Sequence, residues 1–141
     1  MPRSLLEKRA LQLAVAIAAT LPVVAGMWDV VHGVHGAGAW ALNHERYLSG
    51  LLLAIGLGFW SSIPDIERRT GRFRLLTFVV AVGGLCRLIG VLLGDPLSPP
   101  VILALAMELV VTPVICLWQA RFALPAIRTA ALATFRPQSL S

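Results

Sequence analysis

Charge is scarce in this sequence. Only 13% of its 141 residues are Asp, Glu, Lys or Arg, against 57% hydrophobic ones. A soluble domain of this length leaves much of its surface in water and would have too little polar area to cover it. That excludes a small soluble domain, so the chain is expected to form one transmembrane domain with lipid as its solvent. Cysteine is also rare, occurring only as Cys86 and Cys116. Both fall inside apolar stretches, and their expected depths differ by about 10 Å at 1.5 Å of helix rise per residue. A disulfide cannot span that separation, and both read as small packing residues. Known catalytic motifs are missing too: there is no Gly-rich phosphate loop, paired-Cys motif, His-Glu-x-x-His or nucleophile elbow. No catalytic residue and no cofactor is expected.

What the sequence does hold is four apolar runs, approximately Ala10–Val31, Tyr47–Ile63, Leu75–Gly94 and Val101–Phe122. Each is near the roughly 20 residues that cross a bilayer. The expected fold is all-α, an integral membrane four-helix bundle. Ser4 and Glu7 form a capping-box pattern ahead of the first run. Ser98 and Pro99 suit the N-cap and first turn of the last. A basic segment ahead of an apolar run also describes a secretory signal, but this run is longer than a signal core and reads as a retained helix.

The net charge of +5 could suggest nucleic acid, yet the basic residues lie in the short stretches between apolar runs. Membrane lipids, with anionic headgroups, are the expected partners. Arg3, Lys8 and Arg9 precede the first run, Arg68, Arg69, Arg72 and Arg74 follow the second, and Arg121, Arg128 and Arg136 follow the fourth. The other two connections hold Arg46 alone. This alternation places both termini in the cytoplasm, as expected for a multi-pass protein of a bacterial inner membrane. Trp28 and Trp40 would mark the outer interface, and Trp60 and Trp118 the inner one. The tail from Leu124 to Arg136 carries Leu124, Ile127, Ala131 and Phe135 at helical spacing. It reads equally as an interfacial amphipathic helix or as a frayed end.

Two ionisable residues interrupt the apolar runs, Arg87 in the third and Glu108 in the fourth. Each lies about 10 Å below the outer end of its helix, and the short connection makes the two helices antiparallel neighbours. An unpaired arginine in hydrocarbon costs at least about 2.5 kcal/mol, so Arg87 and Glu108 are expected to pair. Small residues add direction, since they mark helix contact in membranes. Gly83, Gly90 and Gly94 share a face with Arg87, while Arg46, Gly50, Ala54 and Gly58 follow one another at intervals of four. Ala14, Ala18, Pro22, Ala25 and Asp29 form a third stripe. Turned inward, these faces would gather Asp29, Arg46, Arg87 and Glu108, with Tyr47 alongside, in the outer half of the bundle. That set is the candidate ligand site or buried ion network. Pro113, one turn below Glu108, should kink its helix and free the carbonyl of Leu109, for Thr112 or water to satisfy if the interior is polar. His32, His35 and His44 lie around Gly33, Gly36 and Gly38. They read as solvated loop residues, so no metal site is expected.

Arg46-Tyr47 with Gly50, Gly83-Gly84 with Arg87, Gly94-Asp95-Pro96, and Glu108 with Pro113 together resemble a bacterial family. It is known as domain of unknown function 4345, and the similarity covers Asn43–Phe122 well and the first helix loosely. The resemblance implies small membrane proteins of four helices with weight on Arg87 and Glu108, and it implies no reaction. Two functions follow as expectations. The leading one is a non-catalytic accessory or scaffold subunit of a larger membrane complex or lipid-associated assembly, or of a self-assembly. The alternative is binding or transport of a small anionic or amphiphilic molecule in an outward-facing polar pocket around Arg87 and Glu108. An enzyme using Glu108 as acid or base ranks third. A cavity reaching Arg87 would favour the binding protein, and a tightly packed ion pair the scaffold.

Overall fold

The structure, a computed structural model, describes residues 3–33 and 39–121. The expectations for the Trp40 ring, His35 and the tail Leu124–Arg136 concern groups outside that description. Helix α1 spans Arg3–His32, α2 Ala39–Trp60 and α3 Thr70–Leu92. Helix α4 runs as Pro99–Ala106, a π-helical turn Met107–Val111, and a continuing helix to Arg121. The chain is an integral membrane four-helix bundle, and α1, α3 and α4 are each long and apolar enough to cross a bilayer. The first turns of α2 carry Asn43, His44, Glu45 and Arg46, which lower its hydropathy.

The helices outrun the apolar stretches that announce them. Helix α1 starts at Arg3 rather than Ala10, α2 at Ala39 rather than Tyr47, and α3 at Thr70 rather than Leu75. Apolarity marks the part in hydrocarbon, whereas backbone hydrogen bonding carries a helix on through polar flanks. At its other end α2 stops at Trp60, short of Ile63. Ile63 precedes Pro64, a position that disfavours helix, and the Ser62 hydroxyl donates to the Gly58 carbonyl at 2.9 Å. Ser98 has the extended backbone of an N-cap ahead of Pro99, but its side chain makes no capping bond.

The bundle consists of two helical hairpins. Helices α1 and α2 pack closely along their length, and the upper part of α4 packs on α3. The first crossing depends on Gly26 and Gly56. A Cβ at Gly26 would lie 2.7 Å from the Ser49 carbonyl oxygen, and one at Gly56 would lie 2.6 Å from Val23 Cγ2. The contact stripe on α2 therefore runs through Ser49, Leu53 and Gly56, one face away from the expected Gly50–Ala54–Gly58 line. Around Gly50 a Cβ would meet nothing within 4 Å. Interval-of-four counting locates a stripe only to within the 100° between successive residues, and here the neighbouring stripe is used.

The hairpins join at the end that bears Arg3, the 61–69 connection and Arg121, called here the basic end. Leu11, Val15, Ala19, Phe59, Ile66, Phe73 and Ile115 form the buried core there. The Phe59 and Phe73 rings meet edge to face, with centroids 5.0 Å apart. Polar groups clasp the connection from both sides. Gln12 Nε2 donates to the Ile63 carbonyl at 2.9 Å. Gln119 is fully buried, and its Nε2 donates to the Ile66 carbonyl at 2.6 Å and to Thr70 Oγ1 at 3.0 Å. In an apolar setting such bonds hold geometry tightly, because the alternative is an unsatisfied buried carbonyl. Toward the opposite, far end, Pro99–Val111 packs against α3 without comparable contact to α1 or α2.

Candidate functional site

Between the two hairpins lies a cavity of about 590 Å³. Its floor is the aromatic and aliphatic core at the basic end, Phe59, Phe73 and Ile115. Pro22, Leu48, Ser49 and Leu52 form one wall, from α1 and α2. The facing wall comes from α3 and α4 and carries Gly83, Cys86, Arg87, Ala104, Met107, Glu108 and Thr112. Most of the lining is apolar, and its charged members among the described residues are Arg87 and Glu108.

Arg87 meets Glu108 side-on: Nε lies 3.1 Å from Oε2 and Nη2 lies 3.1 Å from Oε1. Parallel, charge-assisted bonds of this kind are geometrically specific and stronger than neutral ones. The expected pair is therefore present, at matching depth in antiparallel helices. The Glu108 side chain is 17% exposed and that of Arg87 42%. Nη1 of Arg87 donates to no group among the described residues, so three N–H donors remain beside the pair, two on Nη1 and one on Nη2.

The backbone around the pair is built for it. Gly84 is buried, and a Cβ there would lie 2.8 Å from both Glu108 Cβ and Leu109 Cδ2. Only hydrogen at that position lets α3 approach α4 closely enough for the bidentate contact. Gly83, the residue expected in that role, faces the cavity instead, where a Cβ would meet nothing within 4 Å. On α4, Glu108 sits inside the π-helical turn. The Thr112 amide and hydroxyl both bond to the Met107 carbonyl, the hydroxyl at 2.8 Å. A π turn makes room for the ring of Pro113, which cannot donate to Leu109 and would crowd its carbonyl in a regular helix. The expected kink thus takes the form of a widened turn, with Thr112 serving Met107 rather than Leu109.

At the far end, α3 stops in a Schellman arrangement. The Gly94 amide donates to the Val91 carbonyl at 3.1 Å, and that of Asp95 to the Gly90 carbonyl at 3.0 Å. Gly94 has φ +115°, a conformation that side chains disfavour. The absent side chain of Gly90 leaves space for the Asp95 carboxylate.

The rest of the expected site does not converge. Tyr47 is 63% exposed, Arg46 is exposed, and Asp29 is half-buried; none of the three lines the cavity. The Arg46 guanidinium lies near Gly33 at the end of α1, where a Cβ would be 3.8 Å from its Nη2. Arg46 thus sits where a cation complements a helix C-terminus. Within the stripe Arg46–Gly50–Ala54–Gly58, Gly58 packs inward on α3, where a Cβ would lie 3.1 Å from Leu76 Cδ1, whereas Gly50 meets nothing within 4 Å and Arg46 turns away from Arg87. Cys86 is exposed on the cavity wall rather than buried in packing. His32 stacks on Trp28 with centroids 4.0 Å apart, and its Nδ1 lies 3.0 Å from the Trp28 carbonyl. Ser49 and Met107 line the cavity without having been singled out in the sequence, and Thr112, expected only as a partner for the freed Leu109 carbonyl, lines it too. The only signal for them is position: Ser49 precedes Gly50, Met107 precedes Glu108, and Thr112 lies one turn after Glu108.

Fold and site together define a small helical membrane protein with an intramembrane cavity and one ion pair on its wall. The chain belongs to the family described as domain of unknown function DUF4345, whose model matches residues 10–119. That match takes in most of α1 as well as the segments that carry the resemblance. No curated protein and no solved structure matches the chain.

Proposed function

We propose that this protein binds an amphiphilic molecule in the cavity between its hairpins. The apolar body would lie along α3 toward Phe73, and the polar head would meet Arg87. The observation that carries this reading is the cavity itself. Its volume of about 590 Å³ falls in the range of about 300–1,000 Å³ typical of small-molecule sites. Its composition, a mostly apolar lining with a few polar groups, is also that of a ligand site. Arg87 and Phe73 are fourteen residues apart, so an occupant could extend for about 21 Å along α3. Binding here is the retained function; transport would need a second conformation.

The test is direct. Purification from native membranes followed by solvent extraction and mass spectrometry should recover a stoichiometric small amphiphile. A Gly83→Leu variant projects a side chain into open cavity space and should lose that molecule while keeping its fold. Equal recovery from both proteins would sink the reading.

A second reading, an accessory subunit of a larger complex, draws support from Gly50 and Ala54. These small residues lie on a face of α2 that no helix among the described residues closely covers, and such faces suit a neighbouring transmembrane helix. Crosslinking through a cysteine placed at Ala54 would trap that neighbour. We also infer that both termini lie in the cytoplasm and that the host membrane is a bacterial inner membrane. The support is the cluster of Lys8, Arg9, Arg68, Arg69, Arg72, Arg74 and Arg121 at the basic end. Reporter fusions at each terminus would check the orientation.

A further inference from the structure

We infer that the occupant is an uncharged lipid whose head presents a carbonyl or ester oxygen, rather than an anionic lipid. This rests on the cavity-binding reading above and narrows it. A lone arginine in such a place would call for a phosphate or a carboxylate. Arg87 is not alone. Both of its inner N–H groups are taken by Glu108, at 3.1 Å each, and the pair is electrically neutral. Among the described residues no other charged side chain lines the cavity. An anion seated on Nη1 would sit only a few ångströms farther from the Glu108 carboxylate than from the guanidinium. Coulomb energy falls only as the inverse of distance, so repulsion would cancel much of the attraction. The residue of attraction would then have to offset removal of a full charge from water, which is the larger cost. A neutral acceptor avoids both penalties and still uses the two N–H donors that Nη1 leaves vacant.

The remaining geometry fits a lipid. Arg87 lies five residues before the end of α3 at Leu92, about 8 Å below it, near the depth at which lipid carbonyls meet hydrocarbon. Below it the lining is apolar apart from Ser49 and Thr112, down to Phe59 and Phe73. The shared chemistry, an uncharged acceptor on an apolar tail, belongs to diacylglycerols and to tailed quinones alike.

Cys86 provides the readout, because it lies on the cavity wall beside Arg87. With Cys116→Ser as background, the protein is reconstituted in phosphatidylcholine nanodiscs doped with dioleoylglycerol, decyl-ubiquinone or dioleoyl phosphatidic acid. Alkylation of Cys86 by N-ethylmaleimide is then timed. Dioleoylglycerol or decyl-ubiquinone should slow it by at least about fivefold, as occupancy reduces the free fraction, and the stronger of the two identifies the source. Phosphatidic acid, with the same tails as dioleoylglycerol, should slow it less than about twofold. In Glu108→Gln the arginine is left uncompensated, and phosphatidic acid should become the better protector. If phosphatidic acid protects the unsubstituted pair as well as the neutral lipids do, the head assignment is wrong while the cavity reading stands. If none of the three protects, the cavity reading falls with it.

Discussion

Gly84 and Glu108 stand so close that a Cβ on the glycine would lie 2.8 Å from the Cβ of the glutamate. The ion pair that gives the cavity its polar spot therefore depends on a missing side chain one helix away. Gly84→Ala should push α3 and α4 apart at the level of Arg87. Overpacking of this kind costs about 1–3 kcal/mol, visible as a lowered midpoint of thermal unfolding in detergent. Gly83→Ala, with open space around its Cβ, should leave that midpoint nearly unchanged. Equal effects at the two glycines would contradict the close approach.

The pair itself should behave asymmetrically under mutation. Removing the arginine charge in Arg87→Leu leaves Glu108, with only 17% of its side chain exposed, without its partner. Fully buried pairs lose about 3–5 kcal/mol in that situation. A smaller loss is expected here because Arg87 keeps 42% exposure. The double substitution Arg87→Leu with Glu108→Leu should recover most of the stability, since two apolar groups leave no uncompensated charge. Strict additivity of the two single losses would show that the groups do not interact.

Pro113 should matter for where Glu108 points more than for stability. Pro113→Ala restores an amide donor and allows Met107–Val111 to return to regular helix, which would rotate Glu108 relative to Arg87. Helicity should hold or rise, while amphiphile recovery should fall severalfold. Thr112→Val removes the hydroxyl bond to Met107, a loss of about 1 kcal/mol. It should not displace Glu108, because Pro113 still prevents a regular turn. Undiminished recovery in Pro113→Ala would separate the π turn from the site.

Gly94→Ala tests the α3–α4 connection. Its φ of +115° is unfavourable for any residue with a Cβ, by roughly 1–2 kcal/mol. The Schellman bonds to Val91 and Gly90 should weaken, and proteolysis at the far end of intact vesicles should accelerate. Asp95→Asn keeps the backbone motif and should be far milder.

The four helices and the Arg87–Glu108 pair were legible because each follows from a large energy. Apolar length answers to the bilayer, and a charge in hydrocarbon must find a partner. The other expected site residues rested on smaller differences. Helical counting could not distinguish Gly83 from Gly84, or the Gly50 stripe from the Ser49–Gly56 one, since each pair is separated by one residue. That single step moved Arg46 away from the cavity to the end of α1. The π turn was legible only in part. Pro113 announces a disturbance, but whether the helix kinks or widens depends on how Thr112 and the packing against Gly84 settle the local carbonyls. A pocket around Arg87 and Glu108 was one expectation, but its size and largely apolar lining had no sequence signature, because they arise from two hairpins that meet at one end.

That one-ended closure has a consequence for traffic. Gln119 holds the connection through Ile66 and Thr70, and Phe59, Phe73 and Ile115 seal the space beneath the pair. The interior is a blind alley rather than a passage. On the binding reading, an occupant would enter and leave away from that floor, and passage through it would require the Gln119 clasp to open first.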